Sequence, residues 1–229
     1  MASIAQLVSE FAHSLGQPNN YALRNNIKSL IIHTRAEVIR RSYENHNYID
    51  KGLTQRYRVS LIDVNDGDIN IDNEFGFDVE IDKIKRTKQK VQRPVRLTNN
   101  LPFDRVSTVG YKTNREIPFI KETSARFRGQ LPGMCGAISY DYINGYIYLF
   151  PAANSKVINL GAVVIESAFE YPSQILLENG EADDMEVALD ENEWILSEDM
   201  VGQIKEIIYK RDLLNQVRQT DEIPNNIKF

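Results

Sequence analysis

The stretch ISYDYINGYIYLF, residues 138–150, carries the clearest fold signal in the chain. Large apolar residues at every second position, from Ile138 to Tyr142 and from Tyr146 to Phe150, flank the dipeptide Asn144-Gly145. Asn-Gly supplies the two positive-φ residues of a type I′ turn, which joins the strands of a tight β-hairpin. We therefore predict an antiparallel hairpin at this point of the chain.

Strand signals occur on both sides of this hairpin. Downstream, an apolar run rich in β-branched residues, 157–169, ends near Pro172, where proline cannot continue a central strand. Upstream, Tyr57, Val59 and Leu61 alternate with more polar residues, and alternation returns over residues 75–81. The centre of the chain is therefore predicted to be antiparallel β-structure.

Helical periodicity marks the two ends of the chain. A short helix over residues 4–15 precedes a long amphipathic helix over about residues 20–44, and a third helix is predicted from Ser197, as N-cap, to about Gln219. The predicted apolar face of the long helix comprises Tyr21, Leu23, Ile27, Leu30, Ile31, Thr34, Val38 and Ile39. The other faces are predicted to carry Arg24, Lys28, Arg35, Arg40 and Arg41.

Helices at both ends around an antiparallel β-core predict the α+β fold class. The length of 229 residues allows one large domain or a domain with extensions. The predicted parts are an N-terminal helical hairpin, 1–46; a β-rich core, 47–172, with a basic arm or insertion around 83–128; an acidic connector, 173–196; and a C-terminal helix and tail, 197–229.

Charge is sorted along the chain in a way that the net charge of -5 conceals. The segment from Arg58 to Lys83 holds 8 acidic residues between its two basic ends, and the stretch from Glu166 to Asp199 holds 12 with no basic one. Between them, the stretch from Lys83 to Arg128 contains 13 basic residues and only 3 acidic ones. Since like charges repel within each block, such sorting favours contact with a complementary partner or a fixed polyanion.

A search for catalytic chemistry finds no established motif. The three histidines, His13, His33 and His46, lack metal-ligand spacing, and no base is placed beside Cys135. We therefore predict no catalytic residue, no cofactor and no metal site. An enzyme would need a site assembled from distant carboxylates, such as Asp141 with Glu166.

The acidic residues from Asp63 to Glu74 resemble a calcium-binding loop. The match fails because Gly67 is fifth and Asp68 sixth, whereas an EF-hand loop has Asp or Asn fifth and Gly sixth. We predict a solvated acidic loop here. The chain also lacks a secretory signal and an apolar run of about 18 residues, so we predict an intracellular protein with no membrane span.

The basic segment 83–128 allows two interpretations. Its density of lysine and arginine suits an extended arm or edge strand that follows the phosphates of a nucleic acid. Against this, the chain has a pI near 5.4 and no helix-turn-helix or aromatic stacking signature. The acidic segments on both sides favour a second interpretation, contact with the acidic surface of a neighbouring subunit. Nucleic-acid binding remains the alternative.

The order of these parts resembles the small neck or ring proteins of tailed bacteriophages, especially those of crAss-like podoviruses. A short helix and a long helix are followed by a β-region, the hairpin, a Pro-terminated strand and a closing helix. The segments that carry the resemblance are Leu23–Arg40, Pro102, Val109-Gly110, Asn144–Phe150, Ala168–Pro172 and Leu196–Met200.

The resemblance implies a head-to-tail connector of the virion, assembled in the bacterial cytoplasm. Many copies, commonly a dodecamer, would form a ring docked to the portal protein or to an adjacent tail ring protein. Genomic DNA would pass through the lumen during ejection without sequence-specific contact. Such a role requires no active site and no membrane.

Neighbouring copies in a cyclic ring meet through two different surfaces, and opposite charges on one chain suit such an interface. An acidic wall of the ring channel would repel the DNA phosphates, so that the duplex slides through without being held. The subunit-interface candidates are Lys83, Lys85, Arg86, Lys88, Lys90, Arg93, Arg96, Arg126, Arg128, Glu181, Asp183, Asp184 and Glu186. The channel-facing candidates are Asp66, Asp68, Asp72 and Glu74.

Overall fold

The computed structural model describes residues 3–64, 84–109, 115–121, 138–150, 160–172 and 198–213. The chain divides into two compact units, one formed by residues 1–53 with 180–229 and the other by residues 54–179. The described part of the first unit is helical and that of the second is an antiparallel sheet. The predicted α+β fold class is confirmed.

Three helices form the described part of the helical unit. Helix α1 is Ile4–Ser14, α2 is Tyr21–His46, and α3 is Glu198–Ile207, continued by a π-helical segment, Ile208–Leu213. Ser3 caps α1 in a capping box with Gln6, and Asn20 caps α2 by accepting a 3.1 Å hydrogen bond from the Leu23 amide. The proposed Ser197 cap and the helix beyond residue 213 lie outside the described residues.

Helix α2 buries most of the predicted apolar face, and two residues differ from the prediction. Tyr21 is 76% exposed, whereas Arg35, predicted on another face, is fully buried with Thr34. At 100° per residue Arg35 falls between Ile31 and Ile39, inside the apolar stripe. Burial lowers the pKa of its guanidinium to about 10, so Arg35 keeps its charge at neutral pH. The prediction for Arg35 was wrong because it gave the charge of the residue more weight than its position around the helix.

Polar contacts join α3 and its π-helical continuation to the other two helices. Lys205 forms an ion pair with Glu10 of α1 at 2.7 Å, and the Tyr209 hydroxyl donates a 2.7 Å hydrogen bond to Ser14. On α2, the two carboxylate oxygens of Glu37 accept from Arg41 at 2.6 Å and from Arg211 at 2.7 Å. These contacts accompany the packing of Met200, Ile204 and Ile208, the buried apolar residues of α3 and its π-helical continuation.

Glu37→Gln is expected to remove an acid-sensitive part of the stability. The hydrogen bond from Arg211, followed by the charges of Arg211, Arg41 and Arg40, lowers the pKa of the Glu37 carboxyl. A lowered folded-state pKa stabilises the protein above the unfolded value of about 4.3, and that contribution disappears as the pH falls through the folded value.

We expect Glu37→Gln to cost about 0.5–1 kcal/mol at pH 7, since the pair is partly exposed, and progressively less as the pH falls below about 4. Urea unfolding at pH 7, 5 and 3.5, followed by circular dichroism at 222 nm, measures this difference. Glu44→Gln, at an exposed position of the same helix, is the control. A loss that is equal at all three pH values would contradict the prediction.

The described residues of the second unit form a six-stranded curled sheet. Its strands are β1 Gln55–Asp63, β2 Lys85–Thr87, β3 Arg105–Thr108, β4 Ser139–Ile143, β5 Tyr146–Phe150 and β6 Ala162–Ser167. They lie in the order β3-β6-β1-β2-β5-β4, with antiparallel pairing throughout. The predicted hairpin is confirmed, with φ of 51° at Asn144 and 90° at Gly145.

Strand β1 connects the two halves of the sheet. Its first six residues, Gln55–Ser60, pair with β6, and its last three, Leu61–Asp63, pair with β2. Tyr57, Val59 and Leu61 enter the core, as the alternation predicted. The other residues of this core cluster are Val91, Phe103, Val106, Ile117, Tyr140, Ile147, Leu149, Val163, Ile165 and Phe169.

The segment 115–121 covers the edges of both outer strands. On the β3 side, Ile117 donates to the Val106 carbonyl at 2.8 Å. On the β4 side, the Tyr140 amide donates to the Pro118 carbonyl at 3.0 Å, and Ile120 donates to the Tyr140 carbonyl at 2.9 Å. Where these bonds form, the outer strands do not present the free backbone groups that invite strand addition.

The predicted strand over residues 75–81 and the acidic loop that resembles a calcium site lie outside the described residues, apart from Asp63. The predicted boundaries of the acidic connector and C-terminal tail stay predictions. In the part of the chain that the structure describes, no helix is long and apolar enough to cross a membrane.

Candidate functional site

The first described residues of the basic segment lie inside the sheet. The sequence analysis predicted an arm or an edge strand instead. β2 lies between β1 and β5, so Lys85 and Arg86 have sheet partners on both sides. Lys85 Nζ forms an ion pair with Asp63 Oδ1 at 3.0 Å, and the Arg86 guanidinium lies 4.8 Å from the centre of the Tyr146 ring. These contacts within the unit allow a charged segment to serve as an interior strand.

Residues 88–97 then form an extended strap across the sheet. The Val91 amide donates to the Gly145 carbonyl at 2.7 Å, and the Val95 amide donates to the Ala168 carbonyl at 2.8 Å. Both valines are buried. The basic residues between and after them, Arg93 and Arg96, are exposed, as is Lys90 just before the first valine. Apolar anchors thus turn the neighbouring cations outward.

The strap forms one wall of a groove with a volume of about 1050 Å³. Lys90, Arg93 and Arg96 line it on the strap, and Lys121 contributes a fourth cation from the segment 115–121. Glu170 is the one acidic residue among the described lining residues. Four positive charges and one negative charge therefore converge on a single concave surface, which we call the basic groove.

The basic groove also has an aromatic and apolar component. Phe119, Tyr142 and Tyr146 line it together with Leu101 and Pro102. Burial raises the pKa of the Tyr142 phenol. The positive charge of Arg93 opposes that increase and the negative charge of Glu170 adds to it, so both charges lie close to this phenol. Tyr142 is therefore protonated at neutral pH and can donate a hydrogen bond to an acceptor in the groove.

This geometry is suited to holding an extended anionic chain that also carries apolar groups. Exposed lysine and arginine side chains attract carboxylates or phosphates, while aromatic walls offer stacking and apolar contact. In the described residues, no three His, Cys, Asp or Glu side chains are grouped as a metal site would require. Asp141 and Glu166, the pair named for an enzyme, lie on β4 and β6, which are not neighbouring strands.

Comparison with protein families identifies the class of this chain. The model of the family described as phage tail ring protein 2, from crAss-like phages, matches residues 6–228. The chain belongs to this family. The resemblance inferred from the sequence is thus confirmed. A comparison with curated proteins found no significant match.

Membership in this ring family gives the chain a structural role as a component of the phage tail and hence of the virion. A ring protein associates with copies of itself and adjoins other tail components. For such a protein, a charged concave surface is first of all a candidate for contact with another subunit.

The structure brings together only some of the residues that were predicted to form the subunit interface. Lys90, Arg93 and Arg96 meet in the basic groove, Lys88 is exposed just before it, and Lys85 and Arg86 are engaged within the sheet. The candidates outside the described residues are Lys83, Arg126, Arg128, Glu181, Asp183, Asp184 and Glu186, with the channel candidates Asp66, Asp68, Asp72 and Glu74.

Sequence reasoning missed the rest of the basic groove. Lys121, Tyr142 and Glu170 come from three other segments, and only the folding of the sheet places them beside the strap. The spacing of Val91 and Val95 was the one local signal available, because apolar residues four apart in an extended segment point to the same side.

Proposed function

We propose that this chain is the subunit of a ring in the neck of the virion, between the portal and the tail, through which genomic DNA passes. The observation that carries the proposal is the family match over nearly the whole chain, in a protein whose charges are sorted into opposite blocks. The role is structural, and the chain needs no reaction of its own to fulfil it.

Lateral contacts in the ring are proposed to join surfaces of opposite charge. In a cyclic ring each copy presents one surface to the copy on its left and another to the copy on its right. Lys88, Lys90, Arg93 and Arg96 offer a positive surface in the described residues. The acidic segments of the same chain offer the negative counterpart, and portal or neighbouring tail proteins are the other components within reach of such a ring.

The channel of the ring is proposed to be lined by acidic side chains. A negative wall repels the phosphates of the duplex, so that DNA slides through without being held. Both acidic segments of the chain, residues 63–82 and 166–199, could supply this wall. The dodecameric state, docking to the portal and assembly in the host cytoplasm are part of the same proposal.

The proposal is tested by locating the chain in purified virions and measuring its assembly with portal protein. We expect the chain in virions at a fixed ratio to portal protein, and a closed ring by electron microscopy when the purified chain is mixed with portals. A monomer in isolation is compatible with template-dependent assembly. Absence of the chain from purified virions would contradict the proposal.

Nucleic-acid binding is the second candidate function, because the basic groove combines cations with aromatic side chains. That function predicts binding to single-stranded or duplex DNA whose affinity falls steeply with salt, with a slope of several charges. Lys88→Glu, Lys90→Glu and Arg93→Glu together would then abolish binding. If the intact chain does not bind DNA at low salt, this candidate is excluded.

A further inference from the structure

The sheet unit places its basic and acidic features at opposite ends of the same strands. At one end of the β2–β5 pair, the amide of Val91 donates a hydrogen bond to the carbonyl of Gly145, at the tip of the hairpin and beside the basic groove. At the other end, the Val64 amide bonds to the Ile84 carbonyl at 3.1 Å. Val64 and Ile84 are the described residues on either side of the acidic loop, residues 65–83.

The distance between the two ends follows from strand geometry. In the β2–β5 register Lys85 lies opposite Leu149, four residues along the hairpin strand from Gly145, which correspond to about 13 Å at roughly 3.3 Å per residue. Val64 and Ile84, which flank the acidic loop, therefore lie at the end of this strand pair away from the basic groove. A head-to-tail contact along the strand direction would bring the acidic end of one copy next to the basic end of the following copy.

The chemistry of the acidic loop matches that of the basic groove. The loop contains seven acidic residues and, at its very end, one lysine, Lys83. Between its carboxylates it carries Phe75, Phe77, Val79 and Ile81 at alternate positions. The groove offers cations for the carboxylates and Phe119, Tyr142 and Tyr146 for the apolar side chains.

We propose that the basic groove receives the acidic loop, residues 65–83, of a second copy of this chain. The proposal deepens the proposed ring function and rests on it, because a ring brings copies together head to tail. It reverses the assignment predicted from the sequence: Asp66, Asp68, Asp72 and Glu74 face a neighbouring copy. Glu181, Asp183, Asp184 and Glu186 are left as the acidic residues for the channel wall.

The test measures binding of a fluorescein-labelled peptide of residues 65–83 to the full-length chain by fluorescence anisotropy at low salt. We expect saturable binding that weakens at least about tenfold in the variant Lys90→Glu/Arg93→Glu, since it reverses two charges of the groove. A peptide carrying Asp72→Lys and Glu74→Lys is expected to bind the unaltered chain poorly and the charge-reversed variant better. Recovery of binding between the charge-reversed peptide and the charge-reversed chain is expected only if the two surfaces are in direct contact.

Matched controls separate a local effect from net charge. Arg58→Glu/Arg115→Glu changes two exposed basic residues of the same unit that do not line the groove, and should leave binding within about twofold. Thermal melting of each variant checks that the chain is folded. The competitors are a peptide of residues 178–199, which has the same acidic character, and a single-stranded DNA of similar length.

Several outcomes would overturn the proposal. The first is that the 65–83 peptide does not bind. The second is that its affinity is unchanged by Lys90→Glu/Arg93→Glu. The third is that the charge-reversed peptide does not regain affinity for the charge-reversed chain. Tighter binding of the 178–199 peptide or of DNA would assign the groove to that ligand instead. None of these outcomes depends on virion assembly, so the ring function can fail or stand independently.

Discussion

Phe169→Ala is expected to lower the free energy of unfolding of the sheet unit by about 3–5 kcal/mol. The Phe169 side chain is fully buried, and its ring meets that of Tyr57 edge-on at a centroid distance of 5.4 Å. Truncation removes this contact and leaves a cavity in a core that cannot fully collapse. Few single substitutions in the chain should cost more.

The same substitution should also loosen the basic groove. Residues 168–170 hold the strap through two backbone hydrogen bonds, from Val95 to Ala168 at 2.8 Å and from Glu170 to Arg93 at 2.9 Å. Because Phe169 packs beneath this pairing, we expect faster amide exchange at Val95 and Glu170 in Phe169→Ala.

Urea unfolding measures the stability of Phe169→Ala, and hydrogen exchange read by mass spectrometry measures the strap. Tyr171→Ala is the matched control, since Tyr171 is an aromatic residue two positions away with 38% exposure, and it should cost less than about 1 kcal/mol. Equal losses in the two variants would show that Phe169 is not the anchor that its burial indicates.

Phe11→Ala is expected to destabilise the helical unit by about 3–5 kcal/mol. Phe11 is 1% exposed on α1, and its ring lies 4.8 Å from that of Tyr209 in the π-helical segment after α3. This contact joins the two ends of the chain, with the Tyr209 hydroxyl bonded to Ser14 beside it. Loss of the Phe11 ring should therefore free the end of α3 as well as weaken α1.

A double-mutant cycle with Tyr209→Leu isolates the ring contact. We expect a coupling of about 0.5–1.5 kcal/mol between Phe11 and Tyr209, beyond the burial of each side chain. Thermal and urea unfolding followed by circular dichroism at 222 nm supply the four stabilities. His13→Ala, at an exposed position of α1, should change stability by less than about 0.5 kcal/mol. Strictly additive losses would contradict the contact.

Local signals in the sequence predicted the elements that depend on neighbouring residues. The hairpin at Asn144-Gly145 requires only two positive φ angles, and both are present. The predicted start of the long helix near residue 20 is confirmed for the same reason, since its cap at Asn20 needs only one side chain and an amide three residues away. The alternation of Tyr57, Val59 and Leu61 predicted a strand with one buried face for the same reason.

Elements that depend on distant partners escaped prediction. Lys85, Arg86 and Thr87 have no strand signal of their own, and they form β2 because β1 and β5 supply hydrogen-bond partners on both sides. Arg35 was misplaced because its charge was weighed above its helical phase, which puts it between Ile31 and Ile39.

The amino-acid sequence by itself determined the sorting of charge into opposite blocks, the helices at the two ends and the central hairpin, because each of these depends on residues close along the chain. Only the tertiary structure decided which cations act together. Lys90, Arg93, Lys121 and Glu170 come from segments up to 80 positions apart and meet in one groove. The physical reason is that strand pairing and core packing, which bring such segments together, are long-range interactions that no local pattern encodes.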